Sequence, residues 1–182
     1  MKKALIIYES LSGNTKKVAE AIHKGLLNAG MDSLLKPVKA AAEEDFFAYD
    51  LVCFGAPSYS WHVPKSSEAY LKAKFQEYRN KGCVLPCAPL IEGKNALVFC
   101  TYSGPHTGIR EAIPTGLYIG QFFEHFGFAV ADEWYVLSEF IGSEKNSTQG
   151  RMGNIKGLPS EDDLQRLTGR AQKLAERLFV EK

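Results

Sequence analysis

Four cysteines (Cys53, Cys83, Cys87 and Cys100) in 182 residues are too few to staple a chain of this size, so a disulfide scaffold is excluded. Reduced thiols and a cytoplasmic location are the expectation. No apolar run approaches the ~20 residues that span a bilayer, so no membrane partner is expected. The apolar stretch Ala4–Tyr8 behind Met1-Lys2-Lys3 is shorter than the ~7–15 residues of a signal-peptide core, and Glu9 ends it. An excess of one charge is also missing. With 22 Lys+Arg against 21 Asp+Glu the net charge is +1, which gives no field to draw nucleic acid or an anionic surface. Internal repeats and low-complexity tracts are absent.

Several catalytic signatures are missing as well. His23, His62, His106 and His125 stand apart from one another and match no metal-ligand spacing. There is no G-x-x-x-x-G-K-[ST] to hold a triphosphate and no G-x-S-x-G nucleophile elbow. No G-x-G-x-x-G occurs, and Leu34–Ala42 carries no acidic residue to grip an adenosine ribose, which disfavours a dinucleotide site. No cysteine heads the glycine-rich, arginine-ended loop of a small phosphatase. Cys53-Phe54-Gly55 lacks the aspartate of a phosphorylatable receiver. Cys83 and Cys87 form C-x3-C rather than a redox C-x-x-C, and their spacing reads as fortuitous.

What is present is a hydrophobic fraction of 45%, enough for one sizeable core, and residues 1–182 read as a single domain. Short apolar runs predict strands at Ala4–Tyr8, Ser33–Val38, Leu51–Phe54, Ala96–Cys100 and Ala129–Leu137. Helical spacing places Val18, Ile22 and Leu26 on one face of a first helix that Gly30 stops. Further helices are expected over Ser67–Tyr78 and Leu117–Phe126, and the last carries Leu164, Leu167, Ala171, Leu174 and Leu178. Ser160 with Glu161, Asp162 and Asp163 is its start signal. Strands alternating with helices imply an α/β fold with an open, doubly wound, five-stranded parallel sheet. Such sheets bind ligands at the carboxyl ends of their strands, where strand order reverses. Function is therefore expected after Tyr8, after Gly55 and after Cys100. Of two longer irregular stretches, Lys81–Gly93 belongs to the opposite end of the sheet and Glu139–Pro159 to the ligand end.

The first of these loops is Ser10-Leu11-Ser12-Gly13-Asn14-Thr15. Gly13 lets successive N–H groups converge, hydroxyls add donors, and the helix start supplies a positive dipole end, so the loop suits an anion. The same residue types are preferred helix caps, and taken alone the loop fits capping as well as phosphate binding. The second loop, Gly55-Ala56-Pro57-Ser58-Tyr59-Ser60-Trp61-His62-Val63-Pro64, holds two large aromatics between prolines and suits stacking on a flat ring. The third, Thr101-Tyr102-Ser103-Gly104-Pro105-His106-Thr107-Gly108, lets backbone approach a ring edge closely.

The pattern Ser-x-Ser-Gly-Asn-Thr behind an N-terminal strand resembles the phosphate loop of the flavodoxins, Ser/Thr-x-Ser/Thr-Gly-x-Thr, and the likeness extends as a fold pattern over essentially the whole chain. The resemblance implies FMN as cofactor. Ser10, Ser12, Gly13, Asn14 and Thr15 would hold its phosphate; Pro57, Ser58, Tyr59, Ser60 and Trp61 would flank the ring. Thr101, Tyr102, Ser103, Gly104 and His106 would cover its other side, with Thr101, Tyr102 and Gly104 at the pyrimidine edge. His106 is the one candidate for a part in the reaction, either as a positive charge beside the reduced ring or as a hydrogen-bond partner of a substrate; a loop histidine without a role fits equally. No protein acid or nucleophile is required, because the flavin N5 takes the hydride.

Two redox functions are compatible with this resemblance, beside a non-redox reading in which a scaffold merely retains the fold. One is an oxidoreductase of the NAD(P)H:quinone reductase kind; the other is a carrier that passes electrons from FMN to a partner protein. Family carriers are usually strongly acidic, and many place glycine after the stacking aromatic so that its peptide can flip. This chain is nearly neutral and has His62 after Trp61, where positive φ is costly, which tilts the expectation toward two-electron chemistry. The tract Gly142–Gly157 reads either as a lid or as disorder. A homo-oligomer is compatible with the resemblance, but no residue pattern specifies it.

Overall fold

The computed structural model describes residues 1–103 and 108–179. Five strands, β1 (Lys3–Tyr8), β2 (Asp32–Pro37), β3 (Leu51–Pro57), β4 (Asn95–Tyr102) and β5 (Ala129–Leu137), form one sheet in the order β2-β1-β3-β4-β5. Every pairing is parallel. The helices are α1 (Asn14–Asn28), α2 (Lys65–Asn80), α3 (Ile113–Glu124), α4 (Glu144–Thr148) and α5 (Glu161–Phe179). The expected doubly wound architecture is therefore the observed one.

Residue alternation along the strands divides the core in two. Leu5, Ile7, Val52, Phe54, Val98 and Cys100 face the α2/α3 layer, where Tyr78, Phe122 and Phe123 pack against Phe46 and Phe126 packs against Tyr78. Ala4, Ile6, Leu51, Cys53, Leu97 and Phe99 face the α1/α5 layer with Val18, Ile22, Leu26, Ala171 and Leu174. The central strands are buried on both faces, which is why they read as unbroken apolar runs.

Some boundaries differ from expectation. β3 runs on through Gly55, Ala56 and Pro57, and β4 through Thr101 and Tyr102. The pairing of Gly55 with Phe99 explains the first extension, because the Phe99 ring lies where a Cβ on Gly55 would sit, 1.9 Å away. Residues 139–159 are folded rather than disordered. Glu139 N–H donates to Leu158 O, Ile155 N–H donates to Ser147 O, and Ile155 and Ser147 are buried. Residues 81–93 lie at the amino end of β4, where Ile91 N–H donates to Gly127 O, as expected of a segment feeding into that strand.

Candidate functional site

The carboxyl ends of β1, β3 and β4 lie side by side, with Tyr8 in register with Gly55 and Pro57 with Thr101. Strand order reverses at β1, which pairs with β2 on one side and β3 on the other. The ladder carries into the loops, as Glu9 N–H donates to Gly55 O and Ser58 N–H to Thr101 O, both at 2.9 Å. The three loops therefore start from a rigid base.

The first loop does not cap its helix with a side chain. The N-cap of α1 is Gly13 at φ +94°, and no side-chain hydrogen bond closes the first turn. With no heavy atom within 4 Å of a Cβ built there, the glycine is required by backbone conformation and not by crowding. Ser10 Oγ instead accepts from Gly13 N–H at 3.1 Å, which folds the loop back over the helix start. First-turn amides without a capping side chain, at the positive end of a helix dipole, are the donor set an anion needs. Of the two sequence readings, anion binding fits this geometry and capping does not.

Asn14 and Thr15 are both buried and already engaged. Thr15 Oγ1 shares a 2.7 Å hydrogen bond with Thr101 Oγ1, tying the first loop to β4. Asn14 Nδ2 donates to Glu139 O at 3.0 Å, tying it to the segment after β5. These two side chains hold the loop in shape, while the exposed Ser12 hydroxyl and the backbone face the cleft.

In the second loop, Tyr59 and Trp61 are both exposed, so neither is a core residue. Tyr59 to His62 is a tight turn closed by reciprocal bonds, Tyr59 N–H to His62 O at 2.8 Å and His62 N–H to Tyr59 O at 3.0 Å. Ser60 and Trp61 occupy its centre at φ +49° and +65°, a turn geometry that glycine and asparagine normally fill. His62, where a positive φ is costly, does not adopt one; Ser60 and Trp61 do. Trp61 Nε1–H donates to Glu111 Oε2 at 3.1 Å, and Ser58 Oγ–H donates to Glu111 O at 2.6 Å. Thr115 Oγ1–H donates to Ser58 Oγ at 2.9 Å, so this loop is anchored to the start of α3. Burial, with the nearby Glu9 charge, raises the Tyr59 hydroxyl pKa, and burial raises that of Tyr102, so both stay protonated at neutral pH.

A cleft joins the loops, with Ser12 and Asn14 on one wall, Pro57, Ser58 and Tyr59 on another, and Thr101, Tyr102 and Ser103 on the third. Gly104 and His106 lie outside the described residues. Sequence reasoning placed Glu139–Pro159 at this end of the sheet but named no site residue in it; Ser138 to Ile141 form the fourth wall. Its signal was the apolar pair Phe140-Ile141 just beyond a strand terminus; both are exposed. Burial pushes the Cys100 thiol far above its ordinary range, so it supplies no nucleophile at the cleft. Among the described residues no cluster of His, Cys, Asp or Glu could hold a metal ion, and no helix is long and apolar enough to cross a membrane.

Comparison with known proteins agrees with this geometry. A protein of Archaeoglobus fulgidus named NAD(P)H dehydrogenase (quinone) is 23% identical over 98% of this chain and all of its own length. A flavodoxin of Aquifex aeolicus is 27% identical over 97% of this chain and 86% of its own. The fold matches that of oxidised flavodoxin 1 from Bacillus cereus with a TM-score of 0.67 at 15% identity, covering 97% of this chain and 99% of the other. The flavodoxin-domain family model matches residues 5–97, a span holding the first two loops and all but the last strand and a half of the sheet, and the chain belongs to that family.

Proposed function

We propose that this chain binds one FMN across the three loops and uses it to reduce a quinone-like or other small acceptor with NAD(P)H. The observation that carries the reading is the uncapped start of α1 at Gly13, whose neighbours Ser12 and Asn14 line one cleft with Tyr59, while Trp61 stands exposed two residues on in the same loop. Backbone amides at Ser12–Thr15 would take the phosphate. Trp61 and Tyr59 would flank the ring from one side, and Thr101 to Ser103, with Gly104 and His106, would serve its other side and edge. When bound, the flavin supplies hydride-accepting chemistry at N5; the protein supplies position and access.

Two features favour an enzyme over a carrier. The turn at Ser60-Trp61 is closed by two hydrogen bonds and holds positive φ without glycine, which resists the backbone rearrangement that one-electron carriers exploit. The near-neutral net charge of +1 provides no acidic field for a basic partner. The carrier reading keeps support from the Aquifex aeolicus relative.

Titration of colourless protein with FMN tests the first half, and quenching of flavin fluorescence at one equivalent is expected. Anaerobic NADH or NADPH should then bleach the bound flavin without any second protein. Absence of quenching sinks the cofactor assignment, and quenching without bleaching sinks the enzyme in favour of the carrier.

A further inference from the structure

A second feature lies away from the cleft, along the outer edge of the sheet. β5 is an edge strand, and α5 runs antiparallel beside it. Arg177 donates to Ala131 O near the start of β5, Arg170 pairs with Asp132 at 3.0 Å, and Arg166 lines the same groove as Tyr135 to Leu137 near its end. Arg166, Arg170, Lys173 and Arg177 are all exposed, at spacings that put them on one face of the helix. All four line a groove of about 540 Å³ with Asp132, Gly169 and Leu174, and a second groove adjoins it between Arg166 and Leu137. The first is open at Gly169, where a Cβ would meet nothing within 4 Å, and the Arg170 guanidinium at its edge sits 4.4 Å from the ring of the buried Trp134.

Four cations outnumber two carboxylates, Asp132 and Asp163, along the two grooves. Asp132 is occupied by Arg170 and Asp163 by Arg166, while Lys173 and Arg177 have no carboxylate partner among the described residues. The lower edge of β5 is closed by side chains, since Arg177 covers Ala131 O and the Asp132 carboxylate accepts from Glu133 N–H. Above that point the alternation of the strand turns the N–H and C=O groups of Tyr135 and Leu137 outward, because Ser138 N–H is the one spent on β4 at Tyr102 O. A strand edge left open beside a row of cations can pair with another backbone.

We infer that the β5–α5 groove docks an extended acidic segment of a partner protein, which adds to the β5 edge at Tyr135–Leu137 and sets its carboxylates against Arg166, Arg170, Lys173 and Arg177. Dimensions fit this occupant. The four cations span about 16 Å of helix at ~1.5 Å per residue, and every second residue of an extended peptide advances ~6.8 Å. Three acidic residues at alternate positions, spanning ~14 Å, therefore fit along the row, while the side chains between them point to the opposite face of the sheet. Docking here places the partner beside the Ser138–Ile141 wall of the cleft, at the upper end of the same strand. The polarity is opposite to that of an acidic carrier meeting a basic partner.

The test uses the full chain and a fluorescein-labelled peptide, (Val-Glu)4, read by fluorescence anisotropy at low ionic strength. Saturable binding is expected, with at least a tenfold loss in the Lys173→Glu/Arg177→Glu variant and in a peptide N-methylated at alternate amides. (Val-Lys)4 should not bind. Lys173→Glu alone, an exposed residue without a partner, should weaken binding several-fold and guards against misfolding of the double variant; far-UV circular dichroism and the melting temperature report the fold of both. Unchanged affinity for the N-methylated peptide overturns strand addition and leaves a charged surface only. Equal binding by wild type and both variants, or no binding, overturns the site. Concentration-dependent dimerisation that the double variant abolishes overturns it in favour of a second copy of the chain.

Discussion

At the scale of single residues, the site depends on contacts too short to tolerate substitution. Gly55 sits under the Phe99 ring inside the sheet, so Gly55→Ala forces either the ring or the strand to move. Urea unfolding should show a loss of about 2–3 kcal/mol, the usual cost of overpacking a tight core position. Thr15 and Thr101 share one buried hydrogen bond, so Thr15→Val strands the Thr101 hydroxyl. That variant should lose about 1–2 kcal/mol, and Thr15→Val/Thr101→Val should recover part of the loss, which a double-mutant cycle measures directly. The sequence made Gly13 and Thr15 legible as loop residues because their spacing after a strand is local information. The partner of Thr15 was not legible, because Thr101 is brought to it only by the parallel pairing of β3 with β4. Glu111, which fixes Trp61 and Ser58, escaped for the same reason. It belongs to a turn ahead of α3 whose meeting with the second loop no local pattern announces.

At the scale of elements, α5 shows a start signal fulfilled in full. Ser160 Oγ accepts from Asp163 N–H, and the Asp163 carboxylate accepts from both the N–H and the hydroxyl of Ser160. Those bonds, with Arg166 beside them, hold Asp163 below the ordinary aspartate value of 3.8. A carboxylate whose pKa is depressed by folding adds stability that is complete above its unfolded value and is lost as pH falls through its folded one. Denaturation midpoints of wild type should therefore drop as pH is lowered below about 4, and the part of that drop due to this cap should vanish in Asp163→Asn. Ser160→Ala should cost about 1 kcal/mol at neutral pH. Strands and long helices were readable from periodicity because burial on two faces, or one, imposes it. The exceptions are instructive. β3 runs past Gly55 because its register with β4 continues, and 139–159 folds because Ser147 and Ile155 are buried within it, an arrangement its polar composition hides.

At the scale of the whole molecule, two tryptophans report on different regions. Trp134 is buried in the α1/α5 layer, whereas Trp61 stands exposed in the loop after β3. If residues 1–182 are one cooperative unit, the Trp61→Phe variant should give urea transitions by Trp134 fluorescence and by far-UV circular dichroism that coincide. Separated midpoints would reveal an independently melting layer. FMN at a hundredfold excess over its Kd should raise unfolding stability by ~2.7 kcal/mol if it binds the folded state alone. The link between Asn14 and Glu139 carries one consequence further. The turn at the start of α1 is moored to the beginning of the 139–159 segment, whose far side hangs on Gly157 through the Glu139 carboxylate. A phosphate held there, as proposed, would pull through Asn14 and Glu139 on the chain as far as Gly157. Amide hydrogen exchange at Ile155 and Leu158 should then slow when inorganic phosphate alone is added, before any ring has arrived.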